Sequence, residues 1–422
     1  MALAAERAVR YTCPVMTTHA GAAAMNAPLH GLKVIDQTQA LAGPYAAMLL
    51  GDLGADVIKV ERPGVGDNSR QWGPPFLKGE SAYYLSLNRN KRGIALDISR
   101  PEGQAIIHEL VREADVFLTN LMSNAALRRC GVDDATLRAI NPRLIYASIS
   151  GYGRRGPRAD QPGYDLVAQA EGGTMALTGE IDGPPMRFPT AIADATCGLF
   201  AVIGILAALH ARERSGVGQF LDMSLQDSQI TWLQNYAAEY FATGEDPARR
   251  GNRHPQVVPY EAFQGADGDW FILAIGSDHI FESFCRLVGR GALAQDERFK
   301  TNAQRVAHYE TLLPIMREII RTRAVDDWLD DLRRAGVPCG RIRTTAEALS
   351  DPHLLERGMI VQIEHPALGL LKSIATPIHL SETPLAYYRH PPRLGEHTAE
   401  VLDALSIDRA TQARLRAEGV IA

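Results

Sequence analysis

Residues 31–61 read "GLKVIDQTQALAGPYAAMLLGDLGADVIKVE". "GLKVIDQT" has the character of a buried strand, "QALAGP" of a loop, "YAAMLLGDL" of a helix closed by Gly54, and "DVIKVE" of the next strand. The alternation continues downstream, with "EGQAIIHELVREA" as helix and "DVFLTN" and "RLIYASISGYG" as strands. Strands that alternate with helices pair in parallel, so the fold class is α/β, an open Rossmann-like parallel sheet. Ligands of such sheets bind beyond the carboxyl ends of the strands. That singles out Gln39 to Pro44, Glu61 to Pro63, Asn120 with Leu121, and Ser150 to Gly153.

Working outward, "GQFLDMSLQDSQITWLQNYAAEYFAT" reads as a strand and one long amphipathic helix, and "GEDPARRGNRHPQVVPYEAF" as an irregular boundary. "YEAFQGADGDWFILAIG" reads as a hairpin turning at "ADGD", with helices to about residue 335. "AGVPCGRIRTTAEALSD" returns to α/β character, and "RLGEHTAEVLDAL" forms a closing helix. The expected division is a disordered tail over 1–26, a large α/β domain begun by 27–225, and a linker helix and loop over 226–252. A smaller α+β domain then covers 253–330, and a return segment covers 331–422.

The chain has 422 residues, 46% hydrophobic and 22% charged, which suffices for a sizeable core. A net charge of −5 argues against a nucleic-acid surface. The apolar run from Leu199 to Leu209 falls short of the roughly 20 residues of a membrane span, so its helix is expected to be buried in protein and no membrane partner is expected. Five scattered cysteines, never in a C-x-x-C pair, imply neither a disulfide framework nor a metal site and suit a reducing, cytoplasmic setting.

The first loop lacks the G-x-G-x-x-G that a dinucleotide pyrophosphate needs, so a nicotinamide dehydrogenase is disfavoured despite the acid Glu61 after the second strand. Arg62, next to it, suits a ribose phosphate because its planar fork binds phosphate oxygens in pairs. It could equally be a solvated strand-end arginine. Asp194 stands just ahead of the Leu199–Leu209 run. Aspartate is a favoured helix N-cap. It can also be an ionised nucleophile at a helix N-terminus, approachable past its small neighbours Ala195, Thr196 and Gly198.

Five blocks then carry a resemblance: "LAGPYAAMLLGDLGADVIKVERPGVGD", "YYLSLNRNKRGIALDI", "GYDLVAQAEGG", "AIADATCGLFAVIGILAAL" and "RLGEHTAEVL". In this order and spacing the chain resembles the class III CoA-transferases, the CaiB/BaiF family, from about Leu29 to its end. The resemblance places the family's nucleophilic aspartate at Asp194. It implies a reaction through an acyl-aspartyl anhydride and an aspartyl-CoA thioester. Coenzyme A and its acyl ester are then substrates, not resident cofactors, and no metal is needed.

By the same matching, Ala40, Arg62, Leu96, Asn120, Leu121 and Arg129 would hold the CoA moiety. A family lysine is Pro162 here. Leu41, Tyr164, Arg187 and His254 would line the acid pocket, with Arg253 a further candidate beside His254. The closest likeness is to transferases that move CoA between dicarboxylic acids, with succinyl-CoA as donor. Leu41 replaces the oxalate branch's glutamine, which disfavours formyl or oxalyl substrates. The α-methylacyl-CoA racemase branch needs a histidine at the position of Tyr164, a poor base near neutral pH. A CoA-ester-binding protein without turnover, or a hydrolase, would also be compatible with these blocks. The family architecture implies a homodimer of interlocked rings.

Overall fold

The computed structural model describes residues 26–422 and divides into two compact units. The expected tail over 1–26 therefore lies, but for its last residue, outside the described residues. The first unit comprises the described residues up to Thr174, then Arg187–Gln234 and Pro352–Ala422, and the second comprises Met175–Met186 and Asn235–Asp351.

In the first unit the chain forms β1 (Lys33–Gln37), α1 (Ala42–Asp52), β2 (Asp56–Glu61), β3 (Lys91–Ala95), α2 (Pro101–Arg112), β4 (Val116–Thr119) and β5 (Ile145–Ser150). There follow α3 (Asp165–Glu171), α4 (Ile192–Ser215), β6 (Phe220–Ser224) and α5 (Leu225–Ile230). The six strands pair in parallel in the order β3-β2-β1-β4-β5-β6. Period-2 alternation sends Val34, Val57, Val116 and Ile145 to one face and Ile35, Ile58, Phe117 and Tyr146 to the other. Both faces are covered, as parallel sheets require. α1 and α4 take the first face, and α2 takes the second together with residues of the C-terminal segment such as Val401, Leu402 and Leu415.

α4 packs on α1 through small residues. A Cβ at Gly198 would meet the Ala42 carbonyl oxygen at 2.7 Å and the Tyr45 ring at 3.2 Å, so only glycine lets the helices approach this closely. The expectation that this helix is wholly buried is corrected. Ala193, Cys197, Ala201 and Ile205 are buried, but Leu199, Phe200, Ile203 and Leu206 form an exposed apolar strip. By length and composition α4 could cross a membrane, yet half of its most apolar stretch is buried inside the protein.

The expected long helix after β6 is also corrected. α5 ends in a short 3-10 turn, and Gln234, at φ 31°, breaks the helical path before α6 (Gln234–Thr243) starts. The boundary between the two units falls at this break.

The second unit holds the antiparallel hairpin of β7 (Tyr260–Gln264) and β8 (Trp270–Ala274), helices ending with α7 (Val325–Arg334), and β9 (Cys339–Arg341). β9 pairs with β8, which draws the segment to Asp351 into this unit, whereas the reading from sequence ended the small domain at 330. The chain returns to the first unit through a hairpin, β10 (Ile360–His365) and β11 (Gly369–Ile374), and ends in α8 (Thr398–Ala404) and α9 (Arg409–Ala417).

Candidate active site

The strand order reverses direction between β1 and β4, so the loops after these strands diverge and leave a crevice at their carboxyl ends. A cleft of about 390 Å³ opens there, lined by Gln37 to Gln39, Arg62, Leu96, Asn120, Leu121 and Cys130 among others. Of the residues that the resemblance assigns to the CoA moiety, the structure brings Arg62, Leu96, Asn120 and Leu121 together at this cleft. Ala40 and Arg129 are not among the lining residues: Ala40 turns its N–H to Asp67, and Arg129 is exposed next to Cys130.

The cleft floor rests on a buried ionic network. Lys59 Nζ donates to Asp67 Oδ2 at 2.8 Å and to the Thr38 carbonyl at 3.0 Å, and Lys91 Nζ donates to Asp36 Oδ2 at 2.9 Å and to the Pro44 carbonyl at 2.8 Å. Asp67 Oδ1 accepts the Ala40 N–H at 3.0 Å and so holds Ala40 at φ 70°, where a non-glycine residue is strained. Burial alone would raise the Asp67 carboxyl; the Lys59 ammonium and the backbone donors outweigh it and bring it to about 2. Burial pulls the Lys91 ammonium down to about 8, against the attraction of Asp36.

Glu61 is not a free acid for a ribose. Both of its oxygens accept from Arg70 at 2.7 Å. Arg62 is exposed and makes no ion pair among the described residues, so the cation at this rim is available to an anionic ligand.

Asp194 is the third residue of α4 and is only partly open to solvent. It does not cap its own helix. The cap comes from Asp165, the first residue of α3, whose Oδ1 accepts the Ala193 N–H at 2.8 Å and the Asp194 N–H at 3.4 Å. Asp165 is held in turn by Gln169, whose Nε2 donates to Oδ2 at 2.7 Å and whose Oε1 accepts the Phe188 N–H at 2.8 Å. The Asp194 carboxyl makes no hydrogen bond or ion pair among the described residues. Burial first, and the Asp165 charge second, push it up to about 7. The expectation of a simply ionised carboxylate is corrected accordingly.

Sequence reasoning missed Asp165 and Tyr83. The Tyr83 hydroxyl is pushed up to about 12 by burial and then by the charges of Asp194 and Asp165, which marks it as their neighbour. Its only signal was a place in the block "YYLSLNRNKRGIALDI". Of the expected pocket residues, Leu41 is the half-buried N-cap of α1 and Tyr164 is exposed at the N-cap of α3. Arg187 is exposed and donates to the Pro189 carbonyl at 3.2 Å. His254 belongs to the second unit, where its Nδ1 accepts the Gln256 N–H and its ring stands edge-on to Tyr260.

The sequence pattern described as CoA-transferase family III matches residues 29–398. The chain belongs to CoA-transferase family III. Within this family it is 44% identical over 388 residues to a succinate–glutarate CoA-transferase of Agrobacterium fabrum, covering 90% of this chain and 96% of that one. It is 38% identical over 395 residues to the human succinyl-CoA:glutarate CoA-transferase, covering 93% and 90%. A crystal structure of a CaiB/BaiF family protein from Brucella suis superposes with a TM-score of 0.80 at 42% identity, covering 91% of this chain and 100% of that one. The family III chain thus pairs a crevice at the sheet's switch point with an unpartnered carboxyl at a helix N-terminus.

Proposed function

We propose that the protein transfers CoA from succinyl-CoA to a second dicarboxylic acid, glutarate being the first to test, with Asp194 as nucleophile. The observation that carries this reading is the division of labour between the two carboxylates: Asp165 takes the cap and leaves Asp194 without a partner at the start of α4. The acid class comes from the Agrobacterium and human relatives.

The Asp194 carboxylate attacks the thioester carbonyl carbon, the C–S bond breaks, and CoA thiolate leaves an acyl-aspartyl anhydride. The thiolate attacks the aspartyl carbon of the anhydride and releases the donor carboxylate, giving an aspartyl-CoA thioester. The acceptor carboxylate displaces the thiolate from that carbon, and the thiolate then attacks the acceptor's carbonyl carbon and frees Asp194. The aspartyl-CoA thioester lies close in energy to the substrate thioester and the anhydride lies above both, so neither intermediate is a deep trap. The exposed Arg62 suits the nucleotide phosphates, with Ala40 and Arg129 beside the cleft and Leu96, Asn120 and Leu121 along it. Arg187, exposed and without an ion pair among the described residues, suits the distal carboxylate of the acid.

The exposed strip on α4 supports a homodimer, in the interlocked form implied by the family. The four described cysteines, all unpaired, agree with a cytoplasmic setting.

Incubation with succinyl-CoA and a panel of mono- and dicarboxylates, read by mass spectrometry, tests the reading. New CoA esters that vanish in Asp194→Ala support it, and their absence with intact wild-type protein sinks it. One observation favours a second reading, since a carboxyl near 7 also suits proton transfer to a 2-methylacyl-CoA. Deuterium wash-in at that α-carbon in heavy water, without any acid acceptor, would establish the racemase chemistry instead.

A further inference from the structure

Asn120 and Leu121, which line the cleft, are held at two points. Asn120 Nδ2 donates to the Gln39 carbonyl at 2.8 Å, and its Oδ1 accepts the Gln39 N–H at 3.0 Å. The second point is Arg154, a buried residue in the loop after β5. Its Nη2 donates to the Leu121 carbonyl at 2.7 Å and to the Ile149 carbonyl at 3.3 Å, and its Nη1 reaches the Met122 carbonyl at 3.5 Å. Its Nε donates to Ser148 Oγ at 2.6 Å. The Arg154 N–H is fixed by both carboxylate oxygens of Asp222, on β6, at 2.9 and 3.0 Å.

No acceptor of the guanidinium is a carboxylate, and Arg154 makes no ion pair among the described residues. Burying a cation is costly unless its donors are matched. Here they are matched mainly by backbone carbonyls of the β4 loop and of β5. A planar fork reaches several carbonyls in a fixed plane at once, which a single ammonium nitrogen cannot do.

We propose that Arg154 is a positioning residue for the CoA thioester: its fork fixes the Leu121–Met122 peptide against β5 and so sets the Asn120–Leu121 wall of the cleft. This rests on the reading of that cleft as the CoA site. A wall displaced by a fraction of an ångström weakens CoA binding and leaves the chemistry at Asp194 intact.

The test is calorimetric titration of CoA into the full chain, with steady-state kinetics on succinyl-CoA and glutarate, for wild type, Arg154→Lys and Ser148→Ala. In Arg154→Lys the Kd for CoA and the KM for succinyl-CoA should each rise about tenfold, with kcat and the KM for glutarate within about twofold of wild type. Ser148→Ala removes one acceptor and leaves the arginine in place, and should shift the CoA Kd the same way by about two- to threefold. A CoA Kd in Arg154→Lys within about twofold of wild type overturns the inference, as does a parallel loss in kcat and both KM values. If Arg154→Lys does not fold, Ser148→Ala decides, and an unchanged CoA Kd there overturns it. Wild-type protein that binds no CoA overturns the proposed function and this inference with it. Wild-type binding matched by both variants overturns this inference alone.

Discussion

At the scale of residues, two carboxylates of one chemical type carry different burdens because their surroundings differ. Asp165 is satisfied by two backbone N–H groups and Gln169, whereas Asp194 is left half-buried beside it and pushed up to about 7. The attacking form is the anion, so kcat/KM should rise with pH through about 7 and level off above it. Asp165→Asn keeps an oxygen for the cap but removes the like charge, and should move that limb to lower pH in a pH–rate profile. Stability runs the other way. The folded state holds the Asp194 proton to about 7 and the unfolded chain releases it near 3.8, so wild type loses stability as pH rises between those values. Asp194→Asn lacks this loss. Discounted for the partly open side chain, it should gain about 1–2 kcal/mol on wild type between pH 5 and pH 8 in urea unfolding. The position of Asp194 was legible through the family blocks, but its relation to the helix was not. A capping argument from sequence looks two or three residues along the chain, and the real cap comes from Asp165, 29 residues before Asp194. Tyr83 is hidden for the same reason.

At the scale of elements, strand alternation was strong enough to place β1, β2, β4 and β5, because each strand buries apolar side chains on both faces. The helix after β6 was misread because nothing in "QDSQITWLQNYAAEYF" marks Gln234 as a residue with positive φ. The charges in the strands were harder still. Lys59 and Lys91 read singly as ordinary strand lysines, and only the fold shows that they share Asp36, with Lys59 paired to Asp67 as well, beneath the first loop. Asp67→Asn preserves shape and an acceptor for Ala40 but leaves Lys59 short of its closest counter-charge, at 2.8 Å. Breaking a buried pair from one side costs about 3 kcal/mol, which urea unfolding should show. Lys59 also holds the Thr38 carbonyl at the cleft, at 3.0 Å, so loosening it should lower CoA affinity in the same variant. Unchanged affinity at reduced stability would separate the network from the cleft.

At the scale of the whole molecule, alternating strands and helices imply parallel pairing but leave the strand order open. The order decides where the site lies, since the crevice exists only because β1 neighbours β4. Nor can a chain read alone say which apolar residues are covered by something outside it. The run from Leu199 to Leu209 looked like core, yet Leu199, Ile203 and Leu206 share an exposed face while Cys197, Ala201 and Ile205 face inward. A strip of this kind in water implies a covering partner, and a second copy of this chain is the one proposed. Ile203 is 60% exposed in the single chain, so a charge there is harmless to a monomer and ruinous to a dry interface. Interlocked rings part only if one of them opens, so the charge should act during assembly: freshly expressed Ile203→Glu should give a smaller dimer fraction in sedimentation than wild type, with unpaired chains in its place. The strip belongs to α4, whose third residue is Asp194, so chains that fail to pair should also lose most transferase activity. A variant that remains dimeric and active would show that this face is not where the copies meet.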